Sequence, residues 1–170
     1  QRSSTTYLLG FPDYQGDSPT PTQPEDQLPG DWASVTKTTQ RFFERPTGKV
    51  TPLPGTLKEV ETIQAVLRKR NMAVSLLTGD DASEEQLKKI SNPAVLHIAT
   101  HGFFMPDQKL SEAEVIAGKK TQDPLLRSGL LLAGCETSLK GITVGDEEED
   151  GILSAYEAIN LFLDNTELVI

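Results

Sequence analysis

Proton transfer and thiol chemistry near neutral pH fall to three side chains in this sequence, His97, His101 and Cys135. His101 is followed by Gly102 and stands where the apolar run Ala94-Val95-Leu96-His97-Ile98-Ala99-Thr100 ends. A histidine on the loop leaving a strand can act as general base or acid, and a neighbouring glycine lets a backbone N–H approach a developing oxyanion. The same placement suits a histidine that merely caps or turns the chain. His97 lies inside the run, where an imidazole packs beneath a helix or bonds a neighbouring carbonyl. Cys135, in Ala133-Gly134-Cys135-Glu136-Thr137, is the only thiol. Within hydrogen-bond reach of a histidine it could be a nucleophile, although free cysteines are commonly small core residues.

Asp150 ends the acidic run Asp146 to Asp150 and precedes Gly151 at the expected start of a helix. From there its carboxylate could face the crevice at the sheet edge and hold a basic group of a substrate. With two histidines, one cysteine and no paired-ligand spacing, no metal site is expected. No glycine-rich phosphate loop is present, and no cofactor is implied.

These residues need a frame. Thr6 to Leu9 reads as a first strand, closed by a turn at Gly10, Pro12, Asp13 and Gly16, so residues 1–16 open the fold. Eight of the eleven prolines fall between Pro12 and Pro54, and residues 17–54 read as a long Pro-rich loop, pinned through Trp32, Val35, Phe42 and Phe43. Residues 55–170 carry the helix and strand body. There Thr56 with Glu59 predicts a capping box, and Leu57, Val60, Ile63, Val66 and Leu67 form the apolar stripe of a helix ending near Asn71. A strand over Met72 to Leu77 follows, then a short helix opened by Ser83 and Gln86. Ala94 to Thr100 has the near-continuous apolarity of a central parallel strand. Asp107 to Asp123 is polar, Leu125 to Ala133 suggests a hairpin-like excursion, Gly151 to Phe162 has helical spacing, and Glu167 to Ile170 begins another strand. The alternation predicts a three-layer α/β domain with a mainly parallel sheet.

The 170 residues carry 16 Lys plus Arg against 25 Asp plus Glu, a net charge of −9 that argues against nucleic acid or an anionic membrane surface as partner. No stretch reaches the ~18 apolar residues of a membrane span, and no signal peptide opens the chain, so a cytoplasmic protein is expected. The chain starts at Gln1 and stops inside a strand pattern, which reads as a piece of something longer.

Five stretches, taken in order, resemble the CHAT domain, the caspase-like domain associated with tetratricopeptide repeats and found mostly in bacteria. They are Leu53-Pro54-Gly55-Thr56 ahead of a helix with Glu59 and Glu61, Leu76-Leu77-Thr78-Gly79-Asp80-Asp81-Ala82-Ser83, Leu96 to Phe104, Pro124-Leu125-Leu126-Arg127-Ser128-Gly129-Leu130, and Asp150-Gly151-Ile152-Leu153-Ser154-Ala155-Tyr156-Glu157. The resemblance implies a caspase-hemoglobinase fold, here its amino-terminal, large-subunit-like part, and a cysteine endopeptidase that hydrolyses peptide bonds with a Cys-His dyad. His101 matches the catalytic histidine and Gly102 the glycine whose N–H contributes to the oxyanion hole. The family's nucleophile sits in a Ser-Ala-Cys-Glu-Thr-Gly type motif, expected just beyond Ile170. Cys135-Glu136-Thr137 copies part of that motif but stands earlier in the order, and Cys135 is the nucleophile only if the chain is complete. The chain by itself is then expected to be inactive. The implied partners are a polypeptide substrate and a repeat or scaffold region, or an activating protein. Processing cuts are expected in the Asp17 to Pro54 or Asp107 to Asp123 loops. The alternative is a non-catalytic pseudoprotease that serves as a regulatory protein-binding module.

Overall fold

The computed structural model describes residues 4–16, 43–44, 49–104, 123–140 and 149–170. In chain order the elements are β1 (Thr6–Pro12), β2 (Phe43–Glu44), β3 (Lys49–Val50), α1 (Pro54–Lys69), β4 (Val74–Gly79), α2 (Glu84–Lys89) and β5 (Val95–Ala99). They continue with β6 (Gly102–Phe104), β7 (Ser128–Leu131), α3 (Cys135–Leu139), β8 (Ile152–Ser154), α4 (Ala155–Ala158) and β9 (Leu168–Val169). Of the expected Pro-rich loop over 17–54 and its anchor at Trp32 to Phe43, positions 17–42 and 45–48 lie outside the described residues, as do positions 107–122 of the polar stretch and 146–148 of the acidic run; the described part of that loop carries β2, β3 and the first residue of α1.

Apolar side chains on both faces place β1 and β5 at the middle of a parallel sheet ordered β4-β1-β5-β9. Leu8 and Leu9 of β1 are fully buried and point to opposite faces. Leu9 packs with Leu87, Ile90, Leu96, Leu132 and Leu153 in the main core. On the other face α1 lies so close to β1 that a Cβ on Gly10 would come within 2.8 Å of Val60 Cγ1. A second sheet, ordered β6-β7-β8 and antiparallel, continues from the end of β5. Under it Tyr14, Val50, Leu131, Cys135 and Ile152 form a smaller core. The architecture is mixed α/β with a parallel central sheet flanked by helices.

Three local expectations are corrected. The predicted Thr56–Glu59 capping box is not how α1 begins: Leu53 is its N-cap and Pro54 opens the first turn. Thr56 instead ties the helix to β1, its hydroxyl accepting from Phe11 N–H at 3.1 Å and donating to the Leu53 carbonyl at 2.7 Å. Val66 is 47% exposed although the stripe included it, because at ~100° per residue it lies about a third of a turn from Val60. The helix expected over Gly151 to Phe162 is strand β8 followed by the single turn α4. Gly151 adopts φ 75°, and Ile152 and Leu153 pair with Leu131 and Leu130 of β7. That ladder claims the backbone groups a helix would need, and Ser154 with Glu157 then opens α4 with a reciprocal capping box. Asn71 at φ 57° does end the α1 region, and Ser83 caps α2 by accepting from Gln86 N–H at 3.3 Å.

Candidate functional site

β5 runs to the carboxyl edge of the sheet, where open parallel sheets gather their reactive groups. His101 stands just past it and is 9% exposed. Its Nε2 lies 2.8 Å from the carbonyl oxygen of Thr51. A carbonyl only accepts, so Nε2 carries the proton, and in the neutral ring the basic lone pair sits on Nδ1. Thr51 is itself held in place from beneath. The buried carboxylate of Glu136 accepts from Val50 N–H through Oε1 at 2.9 Å and meets Lys140 Nζ through Oε2 at 3.1 Å. Because Val50 precedes Thr51, this carboxylate fixes the stretch of chain that orients the imidazole.

Tyr14 completes the floor. Its ring is 5.7 Å from that of His101. Thr100 Oγ1 donates to the Leu131 carbonyl at 2.6 Å and so accepts from Tyr14 OH at 3.1 Å. Burial pushes the Tyr14 phenol above its ordinary pKa.

Gly102 begins β6, which pairs with β7 as Gly102↔Leu130, Phe103↔Gly129 and Phe104↔Ser128. Leu131 N–H donates to the His101 carbonyl at 2.9 Å, so His101 and Leu131 form a hydrogen-bonded pair. Alternation along an antiparallel ladder then turns the N–H and C=O of Gly102 and Phe104 away from β7. The Gly102 N–H therefore points away from β7, one residue from the imidazole.

Cys135 is elsewhere in character. It is fully buried in the core under the second sheet. Burial, with Glu136 and Asp150 adding, pushes its thiol far up. Nucleophilic cysteines need the opposite, a lowered pKa and access. Asp150 does not open a helix; its Oδ1 accepts from Ile152 N–H at 2.8 Å and forms the turn into β8. Partial burial, then the charges of Glu157 and Glu149, raise its pKa. His97 packs beneath α1, with Nε2 3.1 Å from Glu59 Oε1.

One carboxylate group has the spacing of a cation site: oxygens of Glu84, Glu149 and Glu157 lie within 4.8 Å of one another. Lys88 Nζ already occupies their centre at 2.7, 2.6 and 3.2 Å. Burial pushes the Glu84 carboxyl up from 4.5 to about 8 despite Lys88. Burial alone would lower the Lys88 pKa, but the three carboxylates raise it. The ion pair reaches Glu84 without the angle of a good hydrogen bond, since both Glu84 oxygens lack a hydrogen-bond partner.

The sequence singles out His101 and Gly102, and the structure packs around His101 four residues the sequence did not single out, Thr51, Glu136, Tyr14 and Thr100. Thr51 acts through its main chain and leaves no side-chain signature. Glu136 had one signal, a carboxylate beside an apolar run, read only as part of a motif copy.

A protein-family model described as CHAT domain matches residues 12–170. No curated protein and no solved structure matches the chain.

Proposed function

We propose a function on one premise: this chain belongs to the CHAT domain family. That family is caspase-like and peptidase-like. In our reading the chain is the amino-terminal part of a cysteine endopeptidase domain, with His101 as the dyad histidine and Gly102 N–H as an oxyanion donor. The observation that carries this is the imidazole anchored through Nε2 on the Thr51 carbonyl just past β5, with an outward N–H at the next residue.

The nucleophile belongs on the strand that continues β9. Val95 and Leu96 of β5 stand opposite Leu168 and Val169, so in the same parallel register a residue about four places past Ile170 comes level with His101. A thiol there passes its proton to His101 Nδ1, and the sulfur bonds to the scissile carbonyl carbon. The oxygen becomes an oxyanion facing the Gly102 N–H. His101 then gives its proton to the departing amine as the C–N bond breaks, and a water activated by the same nitrogen hydrolyses the thioester. Asp150 engages one carboxylate oxygen in the turn into β8, and its other oxygen would meet a basic side chain of the substrate.

Cleavage of a proteome-derived peptide library by the full-length parent protein tests the reading. His101→Gln should lower kcat/KM by about 10²–10⁴-fold, the usual worth of a positioned acid–base group. Cleavage that survives His101→Gln would favour the pseudoprotease reading, with the observed activity belonging to another site.

A further inference from the structure

We propose that the outer edge of β6 and the apolar cleft beside it receive the polypeptide substrate as an added strand, with an uncharged apolar side chain seated in the cleft. This rests on the peptidase reading above and names the substrate class of that site.

Three observations converge. First, β6 is an edge strand among the described residues, and the pairing with β7 turns the N–H and C=O of both Gly102 and Phe104 to the outside. A row of outward donors and acceptors is what an extended polypeptide recognises when it adds to a sheet. It begins at the residue next to His101, so a strand laid there crosses the reacting groups.

Second, nothing in the fold requires glycine at 102. Its φ lies outside the left-handed region, and a Cβ there would meet Gly129 O at 3.7 Å and Leu130 Cδ2 at 3.8 Å, both ordinary contacts. Compare Gly129, where a Cβ would come within 2.3 Å of Leu153 O and the fold itself forbids a side chain. The missing Cβ at 102 instead keeps the mouth of the cleft clear.

Third, the cleft has the size and lining for an apolar group. It measures about 610 Å³; Phe104, Leu130, Leu153 and Ala158 supply most of its apolar wall, Ser128 and Ser154 its only polar side chains, and no charged residue lines it. That volume lies within the ~300–1,000 Å³ usual for ligand sites. Phe104 is 67% exposed at its rim, a large apolar surface that a bound side chain would cover. Asp150 does not line the cleft, so its charge does not set this subsite.

The test uses the full-length parent protein and two readouts. Positional scanning of the cleavage profile should show Leu, Ile, Met or Phe preferred at one position over Lys or Asp by at least tenfold. Ala155→Glu, which places a carboxylate in the cleft wall at a helix start that tolerates acids, should reduce that preference at least tenfold and leave the melting temperature unchanged. Gly102→Ala should fold equally well and lose cleavage. Independently of catalysis, hydrogen exchange on the His101→Gln protein with a leucine-rich decapeptide should protect the amides of Gly102 and Phe104. Protection in that variant together with no cleavage by the wild-type parent protein would uphold the docking and overturn the peptidase reading. Cleavage with a charged-residue preference indifferent to Ala155→Glu would overturn the docking. So would Gly102 and Phe104 amides already protected in the free protein, because the edge would then be covered by the chain itself or a second copy.

Discussion

His101 is oriented by a main-chain carbonyl, and that carbonyl is held by a carboxylate two contacts away. The chain Glu136, Val50, Thr51, His101 gives a buried acid a positional role at the site. Glu136→Gln keeps an oxygen for Val50 N–H and is expected to retain most cleavage, whereas Glu136→Met removes the acceptor, leaves a buried N–H unpaired at a cost of about 1–3 kcal/mol, and should lower kcat more than it raises KM. Equal losses in both variants would mean the charge matters and the bond to Val50 does not. Cys135 makes a contrasting prediction. A fully buried thiol pushed upward by its surroundings should resist iodoacetamide at pH 7.5 in the native protein and react once denaturant is added. Rapid native alkylation at Cys135 would show that the smaller core opens and would restore that thiol as a candidate.

At the scale of elements, α2 and α4 are clasped through Lys88, which reaches Glu84 on its own helix, Glu149, and Glu157 of α4. By contrast Lys89 and Glu85 are both more than half exposed, and such a pair contributes ~0–1 kcal/mol. Glu84 is the member that costs stability when charged. Its folded pKa is raised from 4.5 to about 8, so between those values the native state holds a proton that the unfolded chain has released. Its contribution is complete below pH 4.5 and is lost as the pH rises to about 8. Melting temperature measured from pH 5 to pH 8 should therefore fall more steeply in the wild type than in Glu84→Gln. A slope unchanged by the substitution would show that Lys88 keeps Glu84 ionised throughout. The same elements show where sequence patterns misled. Ile152, Tyr156 and Ile159 carry helical spacing, yet Ile152 enters the smaller core while Tyr156 and Ile159 are 55% and 66% exposed. Pairing with β7 is a long-range bond, invisible to local periodicity, and it overrode the local preference. The apolar run before His101 was legible because a strand covered on both faces leaves no polar alternation, and its end marks the sheet edge whatever packs around it.

For the whole molecule, the two cores divide the work. The main core of Leu9, Leu87, Leu96, Leu132 and Leu153 joins the parallel sheet to α2, and the smaller one, with Tyr14, Val50, Leu131 and Cys135, supports the floor beneath His101. Leu132 and Cys135 lie three residues apart in chain and in different cores, so the turn between them couples the sheet to the site. On the far side Leu168, Val169 and Ile170 are about half exposed, and β9 runs parallel to β5, the strand that leads to His101. In the proposed mechanism the reacting pair spans the ends of two neighbouring strands, with His101 just past β5. The most direct test of that mechanism is to treat the full-length parent protein with a peptide acyloxymethyl ketone and map the adduct by mass spectrometry. The account predicts a single modified cysteine about four residues past Ile170, as the parallel register requires, and no adduct in His101→Gln. An adduct on Cys135, or one that forms equally well without the imidazole, would contradict it.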